Sequence, residues 1–107
     1  MSDLTRTDII KLIALKPKEH ILNLQGVDLS GVDLSLLDLS GANLIGANLK
    51  RTKLEFTIFT GADLTLADFR GAQLIKPNFK DAYIGGADFK DAIITDTDFK
   101  QATKNLK

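Results

Sequence analysis

Large apolar residues return at every fifth position along most of the chain, from Leu24 to Phe99. A period of five fits neither the 3.6-residue repeat of an α-helix nor the two-residue repeat of a β-strand. The repeat centres keep this register without an insertion or deletion through sixteen units: Leu24, Leu29, Leu34, Leu39, Leu44, Leu49, Leu54, Phe59, Leu64, Phe69, Leu74, Phe79, Ile84, Phe89, Ile94 and Phe99. Such a strict tandem repeat predicts an all-β solenoid, in which each unit buries its centre by stacking on other units.

The other positions of the five-residue unit have preferences of their own. Two residues before each centre the chain is mostly small or apolar, and Ala is the commonest choice. Asp or Asn stands directly before eleven of the sixteen centres, and these side chains hydrogen-bond nearby backbone groups in turns. Gly often follows two residues after the centre, where it permits backbone conformations that a β-carbon disfavours. Each unit is therefore predicted to be a short extended segment followed by a sharp corner.

The repeated pattern A(D/N)LXX, over residues 22–101, resembles that of pentapeptide-repeat proteins. The resemblance implies a right-handed quadrilateral β-helix with four units, or 20 residues, in each coil, so that sixteen units make four coils. Residues 20 apart then share a face, and we name the faces after their first centres: Leu24, Leu29, Leu34 and Leu39. The five phenylalanines among the repeat centres fall on the Leu29 and Leu39 faces, which are opposite each other, and we expect their rings to pack in the core.

The two ends of the chain lie outside the repeat. Residues 1–21 are predicted to be a short α-helical cap and linker, because a terminal coil exposes core and unpaired backbone. In the stretch TRTDIIKLIAL, Thr5 is the expected N-cap, Asp8 has the capping-box spacing, and Pro17 ends the helix. Residues 102–107 are predicted to be a C-terminal tail, because Lys104 stands where the next centre would fall.

Composition and motifs argue against catalysis. The chain has 107 residues with 14 basic and 14 acidic side chains, so charge predicts neither nucleic-acid nor membrane-surface binding. Cysteine is absent, which excludes thiolate metal sites and cysteine nucleophiles. No P-loop, H-E-x-x-H or G-x-S-x-G motif occurs. We therefore predict no enzyme activity and no catalytic, cofactor or metal site. The N-terminus does not resemble a signal peptide, and a cytoplasmic location is expected.

Apolar residues at outward and corner positions cluster around the Leu34 face. A contiguous apolar patch often marks a binding surface, although a few exposed apolar residues are normal. The candidate interaction patch consists of Leu36, Phe56, Ile58, Ile75 and Ile93. On the Leu29 face, alternating Asp and Lys or Arg residues predict a ladder of exposed ion pairs.

The last coil offers a second candidate surface. Its interior side chains have too few residues after them to be covered, and an open solenoid end invites association. The candidate C-terminal association surface consists of Ile84, Phe89, Ile94 and Phe99. We expect a homodimer, because most homo-oligomers close by a two-fold axis and the resemblance points the same way. The C-terminal coil is favoured as its interface over the patch on the Leu34 face, which is the rival interface.

The leading functional hypothesis is a non-catalytic structural or protein-interaction module with an unknown protein partner. The resemblance supplies an alternative, since some pentapeptide-repeat proteins mimic DNA, bind type II topoisomerases and protect them from quinolones. Those mimics have strongly negative surfaces, whereas this chain has no net charge and a basic column at Lys50, Arg70 and Lys90. Direct nucleic-acid binding by that column would need a larger excess of positive charge.

Overall fold

The computed structural model describes residues 2–103, in which one short helix precedes a stack of paired turns. Parallel bridges join residues 20 apart throughout the repeat, from Asn23 with Asn43 to Tyr83 with Thr103. Backbone amides of one coil donate to carbonyls of the next, as the Leu44 amide does to the Asp63 carbonyl at 2.8 Å. The parallel register is thus the 20-residue register that the sequence predicts.

Successive bridge residues are five apart, so the bridges form four ladders, one on each face. The ladder on the Leu24 face reaches Thr103, two residues beyond the predicted repeat boundary at residue 101. On the Leu39 face the ladder ends at Asn78, and no bridge within residues 2–103 joins it to Asp98. Pairing therefore enters the segment predicted as a tail, while the last coil is bridged on three faces. Four complete coils remain a prediction.

Regular strands are rarer than the repeat suggests. Within residues 2–103 they are β1 (Gln73–Ile75) and β2 (Ile93–Thr95), which pair in parallel. Elsewhere each face contributes a single bridge residue, because the next turn begins directly after the centre. Pro77 has no N–H with which to close the turn on the Leu74 carbonyl. The hydroxyl of Thr97 donates to that carbonyl instead, at 3.2 Å, and β1 extends one residue past Leu74.

The turns use the Asp and Asn side chains as predicted. All eleven of these residues accept a hydrogen bond from the backbone amide two positions later, as Asp63 does from Thr65 at 3.1 Å. The residue two positions after the centre has a positive φ in fifteen of the sixteen units, and in seven of them it is Gly. Eight residues with side chains adopt the same backbone: Leu36, Arg51, Phe56, Leu66, Lys76, Asp81, Asp91 and Asp96. This conformation is disfavoured by about 1–2 kcal/mol in an L-residue, so these corners are strained.

The interior is filled by the repeat centres. From Leu24 to Ile84 every centre is at most 7% exposed. Phe59 and Phe79 stack with ring centroids 5.4 Å apart, and Phe69 meets Phe79 edge-on at 6.2 Å, so the expected aromatic packing is confirmed. In the last coil Ile94 is 46% exposed, because no further coil lies below it within the described residues.

The N-terminal segment folds as a helix, α1 (Arg6–Leu15), that ends two residues before Pro17. Thr5 is the N-cap, and its hydroxyl oxygen accepts from the Asp8 amide at 3.1 Å. The Asp8 carboxylate accepts from the Thr5 amide at 2.9 Å, and this bond lowers the pKa of Asp8. The predicted capping box is confirmed.

The same segment forms hydrogen bonds with some of the backbone groups at the free edge of the first coil. Asp3 exchanges hydrogen bonds with the backbone of Asp28, donating at 2.7 Å and accepting at 3.1 Å. The Arg6 guanidinium donates to the carbonyls of Asp33 and Ser35 at 2.8 and 2.9 Å. Ile9 is fully buried against the core. The helix therefore covers the first coil along the edges of the Leu29 and Leu34 faces.

Candidate functional site

Four members of the candidate interaction patch lie at neighbouring positions of consecutive coils. Leu36 and Phe56 occupy the same corner of consecutive coils and are 71% and 48% exposed. The Phe56 amide donates to the Ile75 carbonyl at 2.9 Å, and Ile58 lies two residues beyond Phe56. Ile58 and Ile75 are half-buried. These four residues, which we call the corner patch, occupy neighbouring register positions.

The fifth predicted member, Ile93, is exposed and lies one coil beyond Ile75, diagonally across from it. It pairs with Gln73 at the start of the Leu34 face, two coils away from Phe56. The sequence grouped it with the others because it shares their face. The register places Ile93 nearer to the C-terminal end than the other four members.

Leu36 and Phe56 stand at turn positions that favour glycine. Their φ values are 68° and 57°, and both side chains are exposed despite being apolar. Neither core packing nor turn geometry accounts for a large apolar side chain there. Local strain combined with apolar exposure is a feature of functional surfaces.

Leu66 shares these properties and was missed by the sequence-based prediction. It is 63% exposed, has a φ of 61°, and lies at a different corner, where Gly46 precedes it and Gly86 follows it. Its side chain covers Gly86, since a β-carbon there would come within 2.7 Å of Leu66 Cδ2. A large apolar residue in a glycine position of the repeat was the available signal.

The Leu29 face contains one ion-pair cluster instead of a ladder. Arg70 binds both oxygens of Asp68, with Nη2 at 2.7 Å from Oδ2, and lies 3.9 Å from Asp88. Lys50 and Lys90 make no ion pair within residues 2–103. The planar Arg fork reaches two acceptors at once, which a lysine ammonium group does not. The ladder prediction is therefore correct for Arg70 alone.

The Asp68 carboxylate is held in its ionised form by its neighbour Arg70. The hydrogen bonds from Arg70 hold the pKa of Asp68 below its usual value, although partial burial opposes them. A shared-proton pair would instead raise one pKa. In the part of the chain that the structure describes, no cluster of three or more His, Cys, Asp or Glu side chains could hold a metal ion.

The candidate C-terminal association surface forms a shallow apolar depression. Ile84, Phe89, Ile94 and Phe99 line a volume of about 250 Å³. Phe99 stacks on Phe79 with centroids 5.3 Å apart, which keeps the aromatic column in order to its end. The predicted break at Lys104 lies outside the described residues. The homodimer remains a prediction, which sedimentation equilibrium would test.

Comparison with known proteins agrees with the repeat. Profiles of pentapeptide repeats match residues 23–61 with 8 copies and residues 57–103 with 9 copies. A solved pentapeptide repeat protein from the Arabidopsis thaliana thylakoid lumen is 34% identical, over 80% of this chain and 69% of that chain, with a TM-score of 0.32. The chain belongs to the pentapeptide-repeat family.

Other solved pentapeptide-repeat proteins are also similar in sequence. Rfr23 from the cyanobacterium Cyanothece is 26% identical over 85% of this chain and 68% of that chain, with a TM-score of 0.40. QnrB1, a plasmid-mediated fluoroquinolone resistance protein, is 28% identical over 77% of this chain and 55% of that chain, with a TM-score of 0.42. No curated protein matches the chain. Pentapeptide-repeat proteins fold as right-handed quadrilateral β-helices, in keeping with the fold class predicted from the sequence.

The described part of this pentapeptide-repeat chain contains one helix. Its helix α1 has ten residues, and no helix among residues 2–103 is long and apolar enough to cross a membrane. The features that stand out are the corner patch, the open C-terminal coil and the cations of the Leu29 face.

Proposed function

We propose that this pentapeptide-repeat protein is a non-catalytic module of four coils that binds a protein partner through the corner patch. The observation that carries the proposal is the exposure of Leu36 and Phe56 at positive-φ positions. Glycine there would relieve strain and remove exposed apolar surface at once. Large apolar side chains that stay at such positions are suited to act as anchors in a partner's pockets.

The proposal also covers the surfaces that are open to a partner and the location of the protein in the cell. The filled core leaves the outer faces and the ends as the places where a partner can bind. We place the protein in the cytoplasm, in contact with neither nucleic acid nor membrane, in keeping with the balance of 14 basic and 14 acidic residues.

The test compares two glycine variants of the tagged protein. Leu36→Gly/Phe56→Gly removes both anchors, and Leu66→Gly removes an equally exposed leucine from another corner. Glycine suits the positive φ at all three positions, so each variant should fold. We expect recovery of a specific partner from the source-cell lysate to fall by about tenfold or more in the double variant only, as for hot-spot residues. Equal recovery with all three proteins would contradict the proposal.

The alternative is a DNA mimic that binds a topoisomerase. The similarity to QnrB1 favours it, whereas the absence of net negative charge and the cations at Lys50, Arg70 and Lys90 speak against it. A gyrase supercoiling assay with the wild-type protein serves as a further arm of the same experiment. Inhibition at micromolar protein would favour the mimic and displace the corner-patch proposal.

A further inference from the structure

A basic depression lies at the corner that follows the Leu29 face. Its volume is about 410 Å³. The cations Lys50, Arg51, Arg70 and Lys90 line it together with Gly71 and Asp91. Four cations and one carboxylate line the depression itself, and Asp68 and Asp88 lie beside it, where both approach Arg70.

Three of these four cations form no ion pair in the described part of the protein. Lys50, Arg51 and Lys90 make no ion pair with any residue in the range 2–103. Arg70 is held by Asp68 at 2.7 Å and is thereby fixed in place. Since residues 20 apart stack at about 4.8 Å, the like charges of Lys50, Arg70 and Lys90 repel one another. A bound anion would relieve that repulsion.

Arg51 shows that the depression is more than a row of surface lysines. It adopts a φ of 57° at a turn position that is glycine in the coils on either side, at Gly31 and Gly71. Its Cγ lies 3.3 Å from where a β-carbon on Gly71 would be, so its stem crosses the bare backbone of that glycine. The Arg51 side chain therefore stands at a corner with a strained backbone, next to the space that Gly71 leaves open.

We propose that the basic depression binds a run of acidic residues in an extended segment of a protein partner. Carboxylates on one side of an extended chain are about 6.6 Å apart, close enough to the coil spacing to meet successive cations. Asp68, Asp88 and Asp91 lie among the cations and would repel a continuous phosphate backbone, which disfavours nucleic acid. Discrete carboxylates can occupy the spaces between them. The proposal is independent of the corner patch, which lies at the next corner of the coil.

The experiment measures binding of fluorescein-labelled octaglutamate to the full chain by fluorescence anisotropy. The ionic strength is kept at about 20 mM, because salt screens exposed charges. Lys50→Gln/Lys90→Gln removes two cations of the depression. Lys80→Gln/Lys100→Gln removes two lysines from the same repeat position on the opposite face, so both variants change the net charge equally. We expect about tenfold weaker binding in the first variant and less than twofold change in the second.

Arg51→Gly is a second test variant for peptide binding, and it removes a cation that is not a lysine. It substitutes the residue found at the same corner in the neighbouring coils, so weakened peptide binding would not result from unfolding. Leu36→Gly/Phe56→Gly should bind octaglutamate as the wild type does, which separates this proposal from the corner patch. The proposal is overturned by an absence of saturable binding, by equal losses in the two lysine variants, or by tighter binding of an octathymidylate strand than of the peptide.

Discussion

Leu64→Asp is expected to unfold the chain, whereas Leu66→Asp, two residues away, is expected to leave it folded. Leu64 is fully buried in the core cluster. An isolated carboxylate there is desolvated at a cost of several kcal/mol, and loss of the leucine adds about 2–5 kcal/mol. Together these changes rival the whole stability of a small domain, about 5–15 kcal/mol.

Leu66→Asp is a matched control for the same chemical change. Leu66 is 63% exposed, and Asp81, Asp91 and Asp96 already occupy equivalent positive-φ positions. We expect its unfolding free energy to stay within about 0.5 kcal/mol of the wild type. Thermal melts followed by circular dichroism measure both. A cooperative, near-wild-type transition in Leu64→Asp would mean that the repeat centres do not form the core.

Ile9→Ala is expected to lower the unfolding free energy by about 2–4 kcal/mol. Ile9 is fully buried where α1 meets the first coil, so truncation leaves a cavity at that contact. Ile10 is the neighbouring isoleucine on the same helix and is 42% exposed. Ile10→Ala should change stability by less than about 0.5 kcal/mol, because alanine also favours the helix.

Urea denaturation of the two variants distinguishes a packed cap from a loosely attached helix. Deletion of residues 1–20 extends the test, since it also frees the carbonyls of Asp33 and Ser35 that Arg6 now covers. We expect the deletion to lower the midpoint further and to promote aggregation through the bared edge. Equal midpoints for Ile9→Ala and Ile10→Ala, or a soluble deletion with an unchanged midpoint, would refute the capping role.

The features predicted from the sequence are those that depend on local chemistry repeated in register. Each Asp or Asn before a centre accepts a hydrogen bond from the backbone of its own turn, and Thr5 and Asp8 form a capping box. Both features involve only residues close in sequence, so the sequence suffices to predict them. The five-residue period likewise predicts the 20-residue pairing of Asn23 with Asn43, once the family resemblance supplies four units to the coil.

Other features depend on the properties of particular side chains and not on the repeat alone. The extension of β1 reflects the missing N–H of Pro77 and the hydroxyl of Thr97, one coil away. Arg70 forms an ion pair with Asp68, whereas Lys50 and Lys90 form no ion pair within residues 2–103. The difference comes from the planar, forked guanidinium group of arginine. Neither of these outcomes follows from the period.

The winding of four units per coil is tested most directly by engineered cysteine pairs, because the chain has no cysteine of its own. Ser40 and Thr60 are 20 residues apart on one face, where neighbouring strands are separated by about 4.8 Å, a distance that a disulfide spans. Ser40→Cys/Thr60→Cys should therefore lose both free thiols on mild oxidation. Ser40→Cys/Lys50→Cys has a shorter separation in sequence but lies on opposite faces, and it should keep them. Ready bridging of the 40/50 pair, or persistent thiols in the 40/60 pair, would contradict the 20-residue coil.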